Sequence, residues 1–186
     1  MNSASHPFSV EDDHVVHSWH VFRLLKRRLR TNNDQEFERT FLDSPGAVGT
    51  LAIDGDNNVV LVHQYRATID DMLWEIPAGM RDVEGEDPLV TAQRELEEEA
   101  GLVADHWERL GALTAAAGVT NSMVEVFIAR NLFEVPLQPH GPEEEHMTVA
   151  RVSFTDAVAM VEDGRITDAK SSIAILLAAR KHPELL

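Results

Sequence analysis

The segment over residues 88–100 constrains the fold most, because its boundaries and its spacing both specify an α-helix. Asp87 precedes it as an N-cap, and Pro88 occupies the first helical position, where no backbone N–H is needed. Gly101 follows directly and can adopt the left-handed conformation that ends a helix. At ~100° per residue the apolar side chains fall on one stripe: Leu89, Ala92, Leu96 and Ala100. We expect this stripe to be buried and to anchor the helix on a core.

The same helix carries an acidic cluster. Glu95, Glu98 and Glu99 stand at i, i+3 and i+4, so we expect their carboxylates to gather on the side away from the apolar stripe. Glu97 projects elsewhere. Like charges at this spacing destabilise a bare helix by a few tenths of a kcal/mol per pair unless a cation compensates them. Mg²⁺ is typically held by a few carboxylates together with substrate phosphates, so the cluster is a candidate metal site. The alternative is a solvated acidic helix face.

Length and composition limit the classes of protein that this chain can belong to. Its 186 residues, 44% of them hydrophobic, suit one domain with a single core. The chain has no cysteine, so disulfides and thiolate sites are excluded and any metal must bind to oxygen or imidazole ligands. The net charge of -16 disfavours nucleic acid and anionic membranes as partners. A protein this acidic needs bound cations in order to handle phosphates.

The two ends of the chain differ in the order that we expect of them. Residues 1–14 are polar and acidic, which predicts a flexible leader, and residues 15–186 are expected to form one domain. The leader has no apolar region of the kind found in signal peptides, and no later apolar run approaches the ~20 residues of a membrane span. We therefore expect a cytoplasmic protein that does not insert into a membrane.

Apolar segments alternate with turn-forming segments along the chain, which predicts several strands. Residues 20–30 and 35–42 flank a turn-like Thr-Asn-Asn-Asp sequence and predict one antiparallel hairpin. Residues 47–53 and 59–65 flank a segment rich in Asp, Asn and Gly and predict a second hairpin. Further strands are expected at residues 110–115, 124–129 and 149–154, and helices at residues 156–162 and 168–180.

Gly79, Glu86 and the sequence Arg-Glu-Leu-Glu-Glu-Glu-Ala-Gly-Leu over residues 94–102 together resemble the Nudix box. The box follows the pattern G-x5-E-x7-R-E-U-x-E-E-x-G-U, in which U is aliphatic, and every position from Glu86 onward matches it. Between Gly79 and Glu86 this chain has one residue more than the pattern. We expect Gly85 to absorb the extra residue in a loop, because glycine accepts unusual backbone angles.

The flanking residues resemble the ADP-ribose pyrophosphatases of the Nudix family, particularly those of actinobacteria. The resemblance runs from about residue 48 to residue 179 and includes Trp-Glu-Ile-Pro-Ala-Gly at 74–79, Gln-Tyr-Arg at 64–66 and Glu-Glu-Glu at 143–145. Ala117 replaces the proline that this subgroup usually has before a glycine, and Asn121 and Ser122 replace acidic residues. Because this segment shapes the substrate pocket in the relatives, a different nucleotide sugar is an alternative substrate.

The resemblance implies a Nudix α/β/α sandwich, in which a mixed β-sheet lies between helices. It implies hydrolysis of the pyrophosphate bond of a nucleoside diphosphate derivative, with ADP-ribose, cleaved to AMP and ribose 5-phosphate, as the leading substrate. The alternatives are another nucleotide sugar or a dinucleotide polyphosphate, a non-catalytic nucleotide-binding regulator, and an acidic interaction module. The resemblance also implies a homodimer with exchanged N-terminal strands, in which residues 15–45 are the dimerisation hairpin.

Metal ligands follow from the same resemblance, with Mg²⁺ as the expected ion and Mn²⁺ as the alternative. Glu95 and Glu99 would be the central ligands, and Glu98 would share the site. The backbone carbonyl of Ala78 would add another oxygen, and Glu86 would contribute from the periphery.

A general base is also implied. Glu144 is our first choice, because it lies in a polar loop that could close over the metal, and Glu143 and Glu145 are its rivals. The alternative for this triplet is an ordinary solvated loop. Glu98 and Arg94 would take part in catalysis, with Arg94 placed four residues before Glu98 so that it can orient that carboxylate.

Substrate contacts are expected from three residues, namely Arg66, Glu75 and Gly79. Arg66 could hold a phosphate by two parallel hydrogen bonds, a task that suits its planar guanidinium better than the ammonium of a lysine. The alternative for Arg66 is a surface ion pair.

Overall fold

The computed structural model describes residues 6–137 and 146–186. By their contacts these residues divide into two units, where the sequence predicts a leader and one domain. The first unit runs to Gly46 and includes Thr114–Ser122, and the second comprises Ala47–Leu113 and Met123–Leu186. The boundary falls one residue after the predicted end of the N-terminal hairpin.

The first unit is built on a three-stranded antiparallel sheet in the order β1-β2-β3. Its strands are β1 (Phe8–Trp19), β2 (Phe22–Thr31) and β3 (Glu36–Asp43). The predicted hairpin is therefore confirmed as β2 and β3, and Asp34 takes the positive φ of 62° in the turn between them. The segment Thr114–Ser122 joins β3 through a hydrogen bond of 2.8 Å from the Leu42 N–H to the Val119 carbonyl.

The prediction of a flexible leader is wrong for residues 8–14, which form the first half of β1. Their acidic side chains face the basic side chains of β2, and the Arg27 guanidinium donates two hydrogen bonds of 2.7 Å to the Asp13 carboxylate. The ring of Phe8 also contacts the ring of Phe37 edge-on, with centroids 5.8 Å apart. An acidic segment with low strand propensity thus forms a strand because it pairs with the basic strand β2.

Within residues 47–113, 123–137 and 146–186, the second unit has two sheets and three helices. The strands are β4 (Ala47–Ala52), β5 (Asn58–Arg66), β6 (Asp71–Glu75), β7 (Ala78–Met80), β8 (Leu102–Thr114), β9 (Met123–Glu134) and β10 (Thr148–Ser153). The helices are α1 (Pro88–Ala100), α2 (Phe154–Glu162) and α3 (Ala169–Lys181), followed by a 3-10 turn at Pro183–Leu185. One sheet has the order β7-β4-β9-β8, with β4 and β9 parallel, and the other has the antiparallel order β10-β5-β6.

Alternation along β4 and β9 creates the predicted α/β/α sandwich, because successive side chains of a strand point to opposite faces. Leu51 and Ile128 belong to a core cluster that includes residues of α2 and α3. Their neighbours Ala52 and Ala129 belong to a second cluster with Leu96 of α1. Helices therefore cover both faces of this sheet, which is mixed as predicted.

The second predicted hairpin is only partly correct. Its turn forms as expected, with Asn57 at a positive φ of 60° and the Asp54 carboxylate accepting from the Asn58 N–H over 2.9 Å. However, β4 and β5 share a single bridge, between Ile53 and Val59, before they enter different sheets. Strand partners are chosen by long-range packing, and here β4 pairs with β7 and β9 instead. None of the helices in the described ranges is long and apolar enough to cross a membrane.

Candidate active site

Helix α1 begins and ends where its sequence predicts. The Asp87 side chain accepts a hydrogen bond of 2.8 Å from the Leu89 N–H, and Gly101 adopts the left-handed conformation with φ of 62°. Ala92 and Leu96 on the apolar stripe are fully buried. The helix therefore packs on β4 and β7, and this packing fixes the position of its acidic residues relative to β7.

Two carboxylates of α1 meet consecutive residues of β7. The Glu99 carboxylate accepts a hydrogen bond of 2.8 Å from the Ala78 N–H. The Glu95 carboxylate lies so close to Gly79 that an added Cβ there would be 1.9 Å from its Cδ. A Cβ at position 79 would therefore force the Glu95 carboxylate to move. The predicted site residues Glu95, Glu99, Ala78 and Gly79 come together.

The expected direction of the acidic face is wrong for Glu99, which is only 5% exposed. Ala92 and Glu99 are seven residues apart, and at ~100° per residue this separation leaves them about 20° apart around the helix axis. Glu99 therefore borders the buried stripe, and the side chain of Glu95 is mostly buried as well. The helical wheel could have shown this, but the charge of the residues suggested solvent.

Arg94 links the remaining acids of the box. Its guanidinium lies 2.8 Å from the Glu95 carboxylate and 3.0 Å from the Glu98 carboxylate, the contact that its i, i+4 spacing predicts. It also lies 3.7 Å from Glu86 and 3.7 Å from Asp82, and sequence analysis did not single out Asp82. The acidic residues are thus held around one cation of the chain itself.

Burial makes the ionised forms of Glu99 and Glu95 unfavourable. Burial raises the pKa of Glu99 to about 8, and the N–H of Ala78 and the distant charges of Lys170 and Arg66 only partly oppose it. Burial likewise raises the pKa of Glu95 to about 7 against the opposing charge of Arg94. Two neighbouring carboxylates whose ionised forms are disfavoured by burial are a site that favours a cation.

The donor chemistry suits a hard divalent ion, since carboxylate oxygens are what Mg²⁺ and Mn²⁺ prefer. The residues of the described ranges do not include three or more His, Asp or Glu side chains already grouped to hold an ion. Arg94 lies among the carboxylates instead, bonded to Glu95 and Glu98. The close approach of the Glu95 carboxylate to Gly79, and the raised pKa of Glu95 and of Glu99, nevertheless fit a divalent ion at this place.

The predicted substrate residues Arg66 and Glu75 contact each other. Arg66 donates from Nε to Oε1 and from Nη2 to Oε2 of Glu75, both over 2.7 Å, so the ion-pair alternative is what the structure shows for its inner edge. The Glu75 side chain is 1% exposed, whereas that of Arg66 is 40% exposed. Arg66 can therefore also face a ligand, and Glu75 cannot do so without moving.

Lys170 is the residue near this pair that sequence analysis missed. Its ammonium donates to Glu75 Oε2 and, over 3.1 Å, to Asp168 Oδ2. A signal was available, because Lys170 lies in the first turn of α3, where the helix dipole disfavours a cation. A lysine at that position indicates a compensating carboxylate elsewhere in the fold.

Glu143, Glu144 and Glu145, the candidates for the general base, lie outside the described residues. The segment that carries the departures at Ala117 and Asn121 lies in the first unit. There the Asn121 side chain bridges Asp43 and Ser44, donating to Asp43 Oδ1 over 2.6 Å and accepting from the Ser44 N–H over 3.0 Å.

The sequence of the chain is similar to that of a known family and of several known proteins. A family model described as NUDIX domain matches residues 43–174. The ADP-ribose pyrophosphatase of Mycobacterium tuberculosis is 37% identical over 172 residues, which are 92% of this chain and 82% of that protein. The ADP-ribose pyrophosphatase of Bacillus subtilis is 32% identical over 160 residues, 86% of each chain. The methanol dehydrogenase activator of Bacillus methanolicus is 32% identical over 171 residues, 90% of this chain and 92% of that protein.

A solved structure shares the fold. The crystal structure of an ADP compounds hydrolase matches with a TM-score of 0.82 over 98% of both chains, at 18% sequence identity. This match confirms the predicted fold class.

Proposed function

The chain belongs to the Nudix family and is a Nudix hydrolase, and from this premise we propose that it hydrolyses ADP-ribose to AMP and ribose 5-phosphate. The observation that carries the proposal is the pair of buried carboxylates, Glu95 and Glu99, held against Ala78 and Gly79. Such a pair of carboxylates can bind a divalent cation, and the phosphates of a pyrophosphate can complete the coordination of that cation.

We propose that Glu95 and Glu99 hold one or more divalent ions, Mg²⁺ first and Mn²⁺ as the alternative, with Glu98, Glu86 and the Ala78 carbonyl contributing. A bound ion of this kind neutralises the diphosphate, polarises the attacked phosphorus and lowers the pKa of water. Gly79 leaves the space that the Glu95 carboxylate occupies. Arg94 orients Glu95 and Glu98 through its guanidinium.

The remaining steps fall to side chains that bind phosphate and move a proton. Arg66 binds a phosphate oxygen with the exposed part of its guanidinium, while Glu75 fixes the other edge. Glu144 accepts the proton of the attacking water, with Glu143 and Glu145 as the alternatives. The water oxygen bonds to phosphorus, the bridging P–O bond breaks, and the two phosphate monoesters leave.

The direct test is turnover of purified protein with ADP-ribose and Mg²⁺, with the products identified by mass spectrometry. We expect equal amounts of AMP and ribose 5-phosphate, and little product after chelation of divalent ions. A panel with GDP-mannose and diadenosine polyphosphates tests the rivals in the same assay. No turnover of any ADP-sugar contradicts the proposed substrate.

A second candidate substrate is another nucleotide sugar. It is favoured by the departures of Ala117 and Asn121 from the pattern that the sequence otherwise resembles, and the Asn121 amide is engaged with Asp43 and Ser44. The panel decides, since a higher kcat/KM for GDP-mannose than for ADP-ribose identifies this alternative. Tight nucleotide binding without turnover identifies the non-catalytic regulator instead.

We also propose a homodimer with exchanged N-terminal strands, formed by the strands between residues 8 and 43. Every residue of β1 is exposed, including Phe8, Val10 and Val16, so this strand offers apolar surface to a second copy. Light scattering of the full chain at micromolar concentration should give twice the mass of 20.7 kDa. A monomer mass contradicts this proposal.

We propose a cytoplasmic location as well, which fractionation of cells tests.

A further inference from the structure

A buried lysine on α3 lies one carboxylate away from the arginine that we assign to the substrate phosphates. The Lys170 side chain is only 14% exposed and its ammonium is bonded to Glu75 and Asp168. A ligand in solvent therefore meets Arg66, not Lys170. The most direct route from Lys170 to a substrate therefore runs through Glu75 and Arg66.

Glu75 is held from both sides. The Arg66 guanidinium binds both of its oxygens with the paired geometry of a fork, and Lys170 binds Oε2 as well. A bidentate pair fixes the plane of the guanidinium relative to the plane of the carboxylate. The direction in which Arg66 points is thus set by the direction of the Glu75 carboxylate, which Lys170 helps to set.

A second bond ties the same end of α3 to the same strand end. The Ile76 N–H donates to Ser171 Oγ over 2.9 Å, and Ser171 Oγ donates to Asp168 Oδ2 over 2.5 Å. Asp168 also caps α3 by accepting from the Ser171 N–H over 2.9 Å. The first turn of α3 therefore holds Glu75 and Ile76 in place, immediately before the strand that bears Ala78 and Gly79.

Resting on the proposed function, we propose that Lys170 is a positioning residue for phosphate recognition, which orients Glu75 so that Arg66 presents its guanidinium to the diphosphate of the substrate. The charges agree with this role. Arg66 and Lys170 are balanced by Glu75 and Asp168, so the group is neutral with Lys170 and carries one negative charge without it. The excess negative charge then acts on Arg66 itself, and a misdirected Arg66 binds the diphosphate more weakly.

Equilibrium binding of α,β-methylene-ADP with Mg²⁺ tests the inference by calorimetry, because the P–C–P bridge of this probe is not hydrolysed. We expect Lys170→Met to bind the probe about tenfold more weakly, comparable to the 10–100-fold losses found when the hydrogen-bond partners of metal-coordinating residues are removed. Lys170→Arg keeps the charge and should recover most of the affinity. Lys181→Met is the matched control, because Lys181 is a lysine of the same helix whose ammonium donates to the Leu110 carbonyl over 2.9 Å. It should bind as the wild type does.

A double-mutant cycle shows whether Lys170 acts through Arg66. In an Arg66→Ala background, Lys170→Met should weaken binding by less than about twofold, since the group that it positions is gone. Equal weakening in both backgrounds, equal binding by the Lys170→Met and Lys181→Met variants, or no binding of the probe by the wild type overturns the inference. If Lys170→Met does not fold, Lys170→Gln, which keeps a hydrogen-bond donor without the charge, takes its place. A wild type that binds the probe but does not cleave ADP-ribose contradicts the proposed function alone.

Discussion

Glu75 and Glu99 are both buried glutamates of the same unit, and they differ in what compensates their charge. Glu75 receives hydrogen bonds from Arg66 and Lys170, and although burial raises its pKa, these partners outweigh burial and lower it. Glu99 receives the Ala78 N–H, and burial raises its pKa to about 8. No ion pair to Glu99 is formed within residues 6–137 and 146–186. A compensated carboxylate supports structure, whereas a buried carboxylate without a cation is prepared to receive one.

The largest effect should follow from removing the charge of Glu99. We expect Glu99→Gln to lower kcat/KM for ADP-ribose by more than about 100-fold, the upper end of losses seen for residues that only support a metal ligand. Glu97→Gln on the same helix is the control and should retain activity. Mn²⁺ binding by both variants checks the cause, and an active Glu99→Gln variant would remove the distinction between the two glutamates.

Displacing Glu95 should have the next largest effect. In Gly79→Ala the new methyl group would clash with the Glu95 carboxylate. We expect activity to fall by about 10–100-fold, because a displacement of about 1 Å in a catalytic group is enough for such a loss. Gly111→Ala is the matched control, since an added Cβ there meets nothing within 4 Å. Similar activity of the two alanine variants would show that the close approach at Gly79 is unimportant.

Glu75→Gln should affect stability where Glu99→Gln does not. It leaves the buried ammonium of Lys170 and one edge of Arg66 without their carboxylate, which should lower the free energy of unfolding by about 1–3 kcal/mol. Urea denaturation at pH 7 of the metal-free protein measures this difference. In the same experiment Glu99→Gln should be at least as stable as the wild type, and a large loss in Glu99→Gln instead would reverse the comparison.

The smallest effect is a difference in pH dependence of the metal-free protein. Because the pKa of Glu99 is raised in the folded state, the folded chain binds more protons than the unfolded chain between pH 4.5, the ordinary pKa of a glutamate, and about pH 8. Stability therefore falls as pH rises through this window, with a slope below about 1.4 kcal/mol per pH unit for one proton. Glu99→Gln should show a shallower slope. Glu75 acts in the opposite sense, since its lowered pKa stabilises the fold above pH 4.5 and this contribution is lost in more acidic solution.

Several features of the site could be predicted because they depend on neighbours in the chain. The cap at Asp87, the end of α1 at Gly101 and the contact between Arg94 and Glu98 are all set within one or two turns of helix. The predicted general base at Glu143, Glu144 or Glu145 stays a prediction. The burial of Glu99 was available from helical geometry but was obscured by its charge.

Other features depend on residues far apart in sequence, and no local pattern encodes them. Strand β1 forms by pairing with the arginine-rich β2. Strands β4 and β5 lie in different sheets because β4 pairs with β7 and β9, which come later in the chain. Lys170 and Glu75 are 95 residues apart, as are Ile76 and Ser171.

The sequence alone determined α1, its acidic residues and the family to which the chain belongs, because helix caps, periodicity and motif spacing are local properties. Only the tertiary structure decided which carboxylate lies beside a backbone N–H and which lies between two cations. The reason is that burial and charge compensation depend on which distant segments pack against a residue. The pKa of a glutamate is therefore lowered at Glu75 and raised at Glu99.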